Sequence, residues 1–394
     1  MPIISQTKKI GRSSDSSDLL AERKRNLIIQ DIQSKKALGI YKPNLNERGF
    51  DTIQLQRQSG LDFYLAPVSP PVSPPTTNAS SLFGNGQALS VTYVNNTWVI
   101  CGNDSTTNLN NVWYGPSLNN LTALKLFGTG NANSATYANG NWVICGFNLI
   151  SSLSVHVFSS LSPPSSPTSL NLFGTSSARS ATYADGKWVI CGNDESGSGN
   201  NVYHGSDLTS FFGLAIFGNG DANSATYANN IWVICGRDES GSHNNVYYGS
   251  SIIGLLNPLA IFGNGNANSA TYANNIWVIC GRDRSGSDHN VYYGSDLANL
   301  SVLPIFGNGG EARSATYADG KWVICGRHQT NSNNVYYGSD LANLTPLAIF
   351  GDDGRAFSAT YAQSTWVICG ELDTASTDTV LYGSSLTNLQ PLKV

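Results

Sequence analysis

The chain has 394 residues, of which only 12% are charged, while glycine fills 40 positions. That charge is about half the usual share, yet 40% apolar residues and eight tryptophans suffice for a large core. A disordered or coiled-coil chain is excluded, and short strands joined by tight turns are favoured.

The net charge of −4 hides an asymmetry. Residues 1–80 hold 11 Lys/Arg against 7 Asp/Glu, and the remainder holds 11 against 19. The larger part is acidic and a poor partner for a phosphate backbone, so no nucleic-acid binding is expected of it. No run approaches 18 apolar residues, so no membrane span is expected. The opening MPIISQTKKIGRSSDSSDLL lacks the apolar stretch of a secretory signal, which predicts synthesis in a cytoplasm and no secretory route.

Residues 1–65 form an N-terminal arm without repeats. Its residues 18–38 read as one amphipathic helix, with Ser17 or Asp18 as N-cap and Gly39 at the end. Leu20, Leu27, Ile28 and Ile32 can share a face that so short a helix cannot bury alone, so the arm should dock on something. Residues 66–81 are a Pro-rich spacer, APVSPPVSPPT at its start, semi-rigid at about 3.1 Å per residue.

From residue 82 the chain repeats. WVICG occurs seven times, with its Trp at 98, 142, 188, 232, 277, 322 and 366, a period of 44–46 residues. Each unit offers four short strands. In one copy these are Ser224–Ala228, a turn at Asn229-Asn230, Trp232–Gly236, Asn245–Gly249 and a segment around Leu259–Phe262. Four strands per unit predict an all-β fold, a seven-bladed β-propeller over 82–394 with four-stranded blades; a parallel β-helix is the rival. Pro391–Val394 aligns with Pro258–Ile261, and Leu82-Phe83-Gly84 with the Ile261-Phe262-Gly263 that follows, so the two ends meet at one repeat position as a closed ring requires. The small residues of SATYA suit the innermost strand. Unit 2 departs from the pattern, with SVHVFSS at 154–160 followed by a Pro-rich turn.

The seven cysteines share one repeat position. Equivalent sites on adjacent blades should lie beyond the roughly 7 Å between Cα atoms that a disulfide allows, and no short metal-binding spacing exists. They read as buried free thiols, and neither metal nor cofactor is expected. The loops after WVICG carry Asp194, Asp238 and Asp283 near glycines and serines, and Arg237, Arg282 and Arg327 follow the motif in three successive units. These six top-face residues are the candidate ligand site. The aspartates also fit simple Asx turns, and the arginines fit ion pairs with acids beside or opposite them. The five histidines show no triad spacing, and no carboxylate pair breaks the repeat, so no catalysis is expected.

NVYYGSDLANLTPL at 334–347 resembles the Asp-box repeat of bacterial neuraminidases, with Ser339 and Asp340 in place and the motif's Gly and final Trp absent. NGNWVICG at 139–146 and DGKWVICG at 185–192 are similar to propeller repeats in proteins of giant DNA viruses, as is SSDLLAERKRNLIIQ at 16–30 to their N-terminal segments. The resemblance implies a propeller and a non-enzymatic virion component, capsid or fibre. Its arm would dock on other virion proteins or sister copies while the propeller is displayed for host attachment. The alternatives are a lectin-like propeller binding glycans and a degenerate glycosidase.

Overall fold

The computed structural model describes residues 80–394, apart from 107, 162–163, 195–197, 255–256 and 373–377. The chain divides into two units, Met1–Pro74 and Pro75–Val394, and the described residues belong to the second. The helix expected at 18–38, with Leu20, Leu27, Ile28 and Ile32, lies outside them, as does most of the Pro-rich spacer.

The described residues form seven four-stranded antiparallel sheets, each from four consecutive strands. In blade 4 the strands are Asp221–Ala228, Ile231–Arg237, Val246–Gly249 and Asn257–Leu259. The hairpin between the first two has φ of 49° at Asn229 and 59° at Asn230, and the corresponding turn has two positive φ values in every blade. That pair of angles is the type I′ turn, whose twist matches the strands it joins.

The fourth strand needs correction. It was expected around Leu259–Phe262, but it ends at Leu259. Ile261 and Phe262 turn into the next blade, their N–H groups donating to Oδ1 of Asn245 at 3.1 and 3.3 Å. The Asn245 amide donates onward to the Gly263 carbonyl. Asn111, Asn201, Asn290 and Asn334 staple their own connections in the same way. A buried amide thus satisfies backbone groups that a turn between sheets would otherwise leave unpaired.

The first strands of neighbouring blades touch all the way round, blade 7 against blade 1 included, so they are the innermost. Thr226 donates to the Ala270 carbonyl of the next blade at 2.7 Å, and at the closing seam Thr360 donates to Val91 at the same distance. Seven apolar clusters fill the seven junctions. In each, Val and Cys of one WVICG face the Trp and Ile of the next, with a Phe beneath. The motif strand is buried on both faces, which explains its unbroken apolar run. At the seam Ser80 and Val394 exchange two backbone hydrogen bonds of 3.1 Å, Ser81 bridges Lys393, and Leu392 packs with Leu82 and Phe83.

Two outcomes follow from this packing. Deleting Pro391–Val394 removes the seam pairing and buried Leu392, roughly 2–3 kcal/mol, and should lower the melting temperature by about 5 °C in a thermal scan. All seven cysteines are free and buried; burial pushes Cys101, Cys191, Cys235 and Cys325 up to about 12 and raises Cys145, Cys280 and Cys369 well above the ordinary thiol value. A thiol reagent at pH 8 should label none in the folded protein and all seven in denaturant; rapid native labelling of several would refute the two-sided burial.

Candidate ligand site at the mouth of the central channel

Each inner strand carries a β-bulge at the same place, shown in blade 4 by the register break between Ala222 and Ser224. The extra residue in the seven blades is Leu89, Asn133, Arg179, Asn223, Asn268, Arg313 and Phe357. All seven line one cavity of about 480 Å³. A cavity walled by every blade lies on the propeller axis, so the bulges aim these residues into the channel mouth.

The bulge and its neighbour strand fix one another. A methyl added to Gly236, the glycine of WVICG, would come within 2.2 Å of the Asp221 carbonyl and 2.6 Å of the Phe217 ring. The other six motif glycines are crowded by the equivalent carbonyl and Phe ring. Only glycine lets the bulged strand and the Phe approach together.

A second cavity of about 230 Å³ shares four of these walls. It is lined by Arg179, Arg237, Arg282, Arg284 and Arg313 against the two acids Asp221 and Glu311. Arg179 crosses a blade junction to Asp221 at 2.9 Å, and Arg313 meets Glu311 at 3.0 Å with its guanidinium 5.5 Å above the Phe357 ring. Burial lowers the Arg313 pKa; Glu311 opposes this, while Arg355, Arg179 and Arg282 lower it further. Arginine nevertheless stays charged at physiological pH.

The six residues expected from sequence divide into two groups. Arg237 and Arg282 line the smaller cavity. Arg237 pairs with Glu239 and lies 3.9 Å from Asp221. Arg327 lies 3.5 Å from Asp353. The three aspartates fold back into their own loops. Ser198 donates to Asp194, Ser242 to Asp238 and Ser287 to Asp283, while backbone N–H groups of Ser240 and Ser285 donate at 2.6 Å. Burial would raise the Asp238 and Asp283 carboxyls, but these bonds outweigh it and hold both below the ordinary carboxylate value. The aspartates are turn residues, and of the three arginines Arg237 and Arg327 face acids of their own.

Arg179 and Arg313 escaped the sequence reading. The signal was present: one repeat position reads Leu, Asn, Arg, Asn, Asn, Arg, Phe while its neighbours hardly vary. Every arginine of residues 82–394 lies at this rim, whereas Lys187 and Lys321 flank the opposite hairpins. Among the described residues no group of three or more His, Cys, Asp or Glu could hold a metal ion, and no helix is long and apolar enough to cross a membrane.

No protein-family model matches the chain, and no curated protein matches it in sequence. Solved structures do. A chain of "YCF48 bound to D1 peptide" aligns with a TM-score of 0.53 at 11% identity, over 77% of this chain and 93% of its own. A prolyl endopeptidase gives 0.54 at 10% identity over 79% of this chain and 49% of its own, and a chain of a mitotic checkpoint complex gives 0.52 at 13% over 89% and 99%. At such identities the likeness is one of fold. The fold is a seven-bladed β-propeller.

Blade 2 supplies a pH-dependent outcome. His156 occupies the place of Tyr203, Tyr247, Tyr292 and Tyr336, its ring 4.8 Å from Phe127 as theirs lie 5.0–5.2 Å from their own Phe. Burial lowers its pKa below the usual 6.5. The unfolded chain therefore takes up the proton first, so this stability is present above pH 6.5 and lost as pH falls below it. The melting temperature should drop between about pH 7.5 and 5.5, and His156→Tyr should flatten part of that drop.

Proposed function

We propose that this chain is a non-enzymatic interaction protein. Its propeller presents the arginine rim to a ligand, and its arm anchors the molecule to a larger assembly. One observation supports the ligand half above others. The residues that build the blades are nearly identical in all seven copies, while those facing the channel mouth have diverged into cations, amides and two apolar side chains. Between an invariant Ala and an invariant Ser of each inner strand, divergence at the one position that faces a concave, polar place is the pattern of a binding site grafted on a scaffold. Ionised carboxylates tied into their own turns are poor general acids, which supports binding over glycoside hydrolysis.

The anchoring half rests on the sequence. The face of Leu20, Leu27, Ile28 and Ile32 needs a cover, and the stiff proline spacer favours one outside the propeller. The resemblance of repeats and arm to giant-virus proteins, including the degenerate Asp-box at Ser339 and Asp340, makes a virion the assembly we propose, with capsid or fibre proteins or sister copies as partners. Binding of host or viral glycans at the rim is the second reading, favoured by the asparagine amides among the arginines.

Removing the arm tests this. Residues 76–394 should fold with a melting temperature within about 1 °C of the full chain but remain monomeric and fail to enter particles. Leu27→Asp in the full chain should do the same in sedimentation and particle-incorporation assays. A truncated protein that unfolds would place the arm in the propeller's own core, and one that assembles normally would overturn the anchoring.

A further inference from the structure

We infer that the arginine-lined half of the channel mouth binds a phosphate or sulfate monoester carried on a sugar-sized body. This names the ligand class for the rim presented in the reading above and rests on it.

Charge is the first argument. Five arginines face two acids across the smaller cavity, and both acids are engaged, Asp221 with Arg179 and Glu311 with Arg313 and the Asn268 amide. Arg282 sits opposite Asn266 in the strand register, where the neighbouring blades place Asp221 and Glu311 opposite Arg237 and Arg327. Among the described residues no carboxylate lies within 4 Å of Arg282 or Arg284. The Nε–H groups of Arg179, Arg237 and Arg282 are buried without acceptors. With Glu239 pairing Arg237, the cluster still has more donors than acceptors and a surplus of two cations, Arg282 and Arg284. A carboxylate offers two oxygens to these guanidinium forks, whereas an ester oxyanion offers three.

Shape is the second argument. The larger cavity shares Arg179, Asn223, Asn268 and Arg313 with the smaller one, so the two form a continuous bowl. Its far side, from blades 1, 2 and 7, carries Leu89, Phe147 and Phe357. An aromatic wall beside amides suits the C–H face of a sugar ring, with its hydroxyls donating to the side-chain oxygens of Asn133 and Asn223, whose amide N–H groups already bond the next blade, and its ester on the arginines. A bare ion would leave that wall unused.

The test is calorimetric titration of the full chain with glucose-6-phosphate, glucose-6-sulfate, glucuronate and glucose. At least one ester should bind at one site per chain with a dissociation constant below about 1 mM, and the two esters identify which oxyanion the site takes. Raising the salt should weaken binding. Arg282→Gln, which orphans no carboxylate, should weaken it by about tenfold or more, and Lys321→Gln on the opposite rim should leave it unchanged. If Arg282→Gln melts early, the exposed Arg284→Gln carries the same test. The proposal is overturned if neither ester binds at about 10 mM, if glucuronate or glucose binds equally well, or if the lysine variant loses as much as the arginine one. Loss of ester binding would leave the anchoring by the arm standing, and a monomeric full chain would leave the ester site standing.

Discussion

The structure turns on a contact repeated seven times. The glycine that ends each WVICG strand lies under a Phe ring from the preceding connection and against a carbonyl of the bulged inner strand. A side chain there would meet both at 2.2–2.8 Å. Three features depend on that close approach. The Phe seals the junction between blades, the connection takes a path that the buried asparagine can staple, and the inner strand keeps its bulge. Without the bulge the inner strand would continue in strict alternation, and no residue at this level would be turned toward the axis.

Between blades the constraint is two-sided burial. Trp and Ile of the motif fill one junction and Val and Cys the other, so each second strand is a wall shared by two cores. Cysteine acts here as a small apolar residue opposite a serine of the inner strand, and its raised pKa is the electrostatic consequence of that burial. The seam shows how the ring accommodates a break in symmetry. The last inner hairpin is Gln363-Ser364, with φ of 50° and 57° where other blades use Asn, Asp or Gly. The Gln363 side chain accepts from the Trp98 indole at 3.2 Å and donates to the Tyr93 hydroxyl at 2.7 Å, tying blade 7 to blade 1. A less favourable turn residue is retained where it makes the closing bonds.

Much of this was legible before any coordinates. The repeat, the blade number, the type of inner turn and the closing position all follow from sequence, because each is a local pattern copied seven times. The fourth strand was not. Ile261-Phe262 carries the apolar character of a strand but serves as a plug for the next blade, and the partner that turns it is Asn245, sixteen residues earlier. The candidate site was legible only in its outer part. Arg237, Arg282 and Arg327 announce themselves beside a conspicuous motif, whereas Arg179 and Arg313 sit in a strand whose alternation assigns them no special direction. The burial pattern shows why: Ala222 and Ala225 are both buried, an odd separation that a regular strand cannot place on one face. One inserted backbone position decides where Asn223 and its equivalents point, and composition does not display it.

That insertion also explains why the channel mouth could diverge while the blades did not. Substituting Val233 or Trp232 alters a core shared by two blades, and a cavity or clash is felt on both sides. Bulged residues stand at the open cavity outside the apolar cores, so they can become Leu, Asn, Arg or Phe without disturbing that packing, although Asn133, Asn223 and Asn268 each donate to a carbonyl of the next blade. Their neighbours still limit the choice. A cation gathered there needs an opposing charge nearby, and Asp221 and Glu311 at the start of two inner strands supply it for Arg179 and Arg313. Arg282 received no such partner, because the residue across from it is Asn266. Like charges gathered near an axis repel one another. The two cations left without an acid, Arg282 and Arg284, are the feature on which the proposed anion site rests.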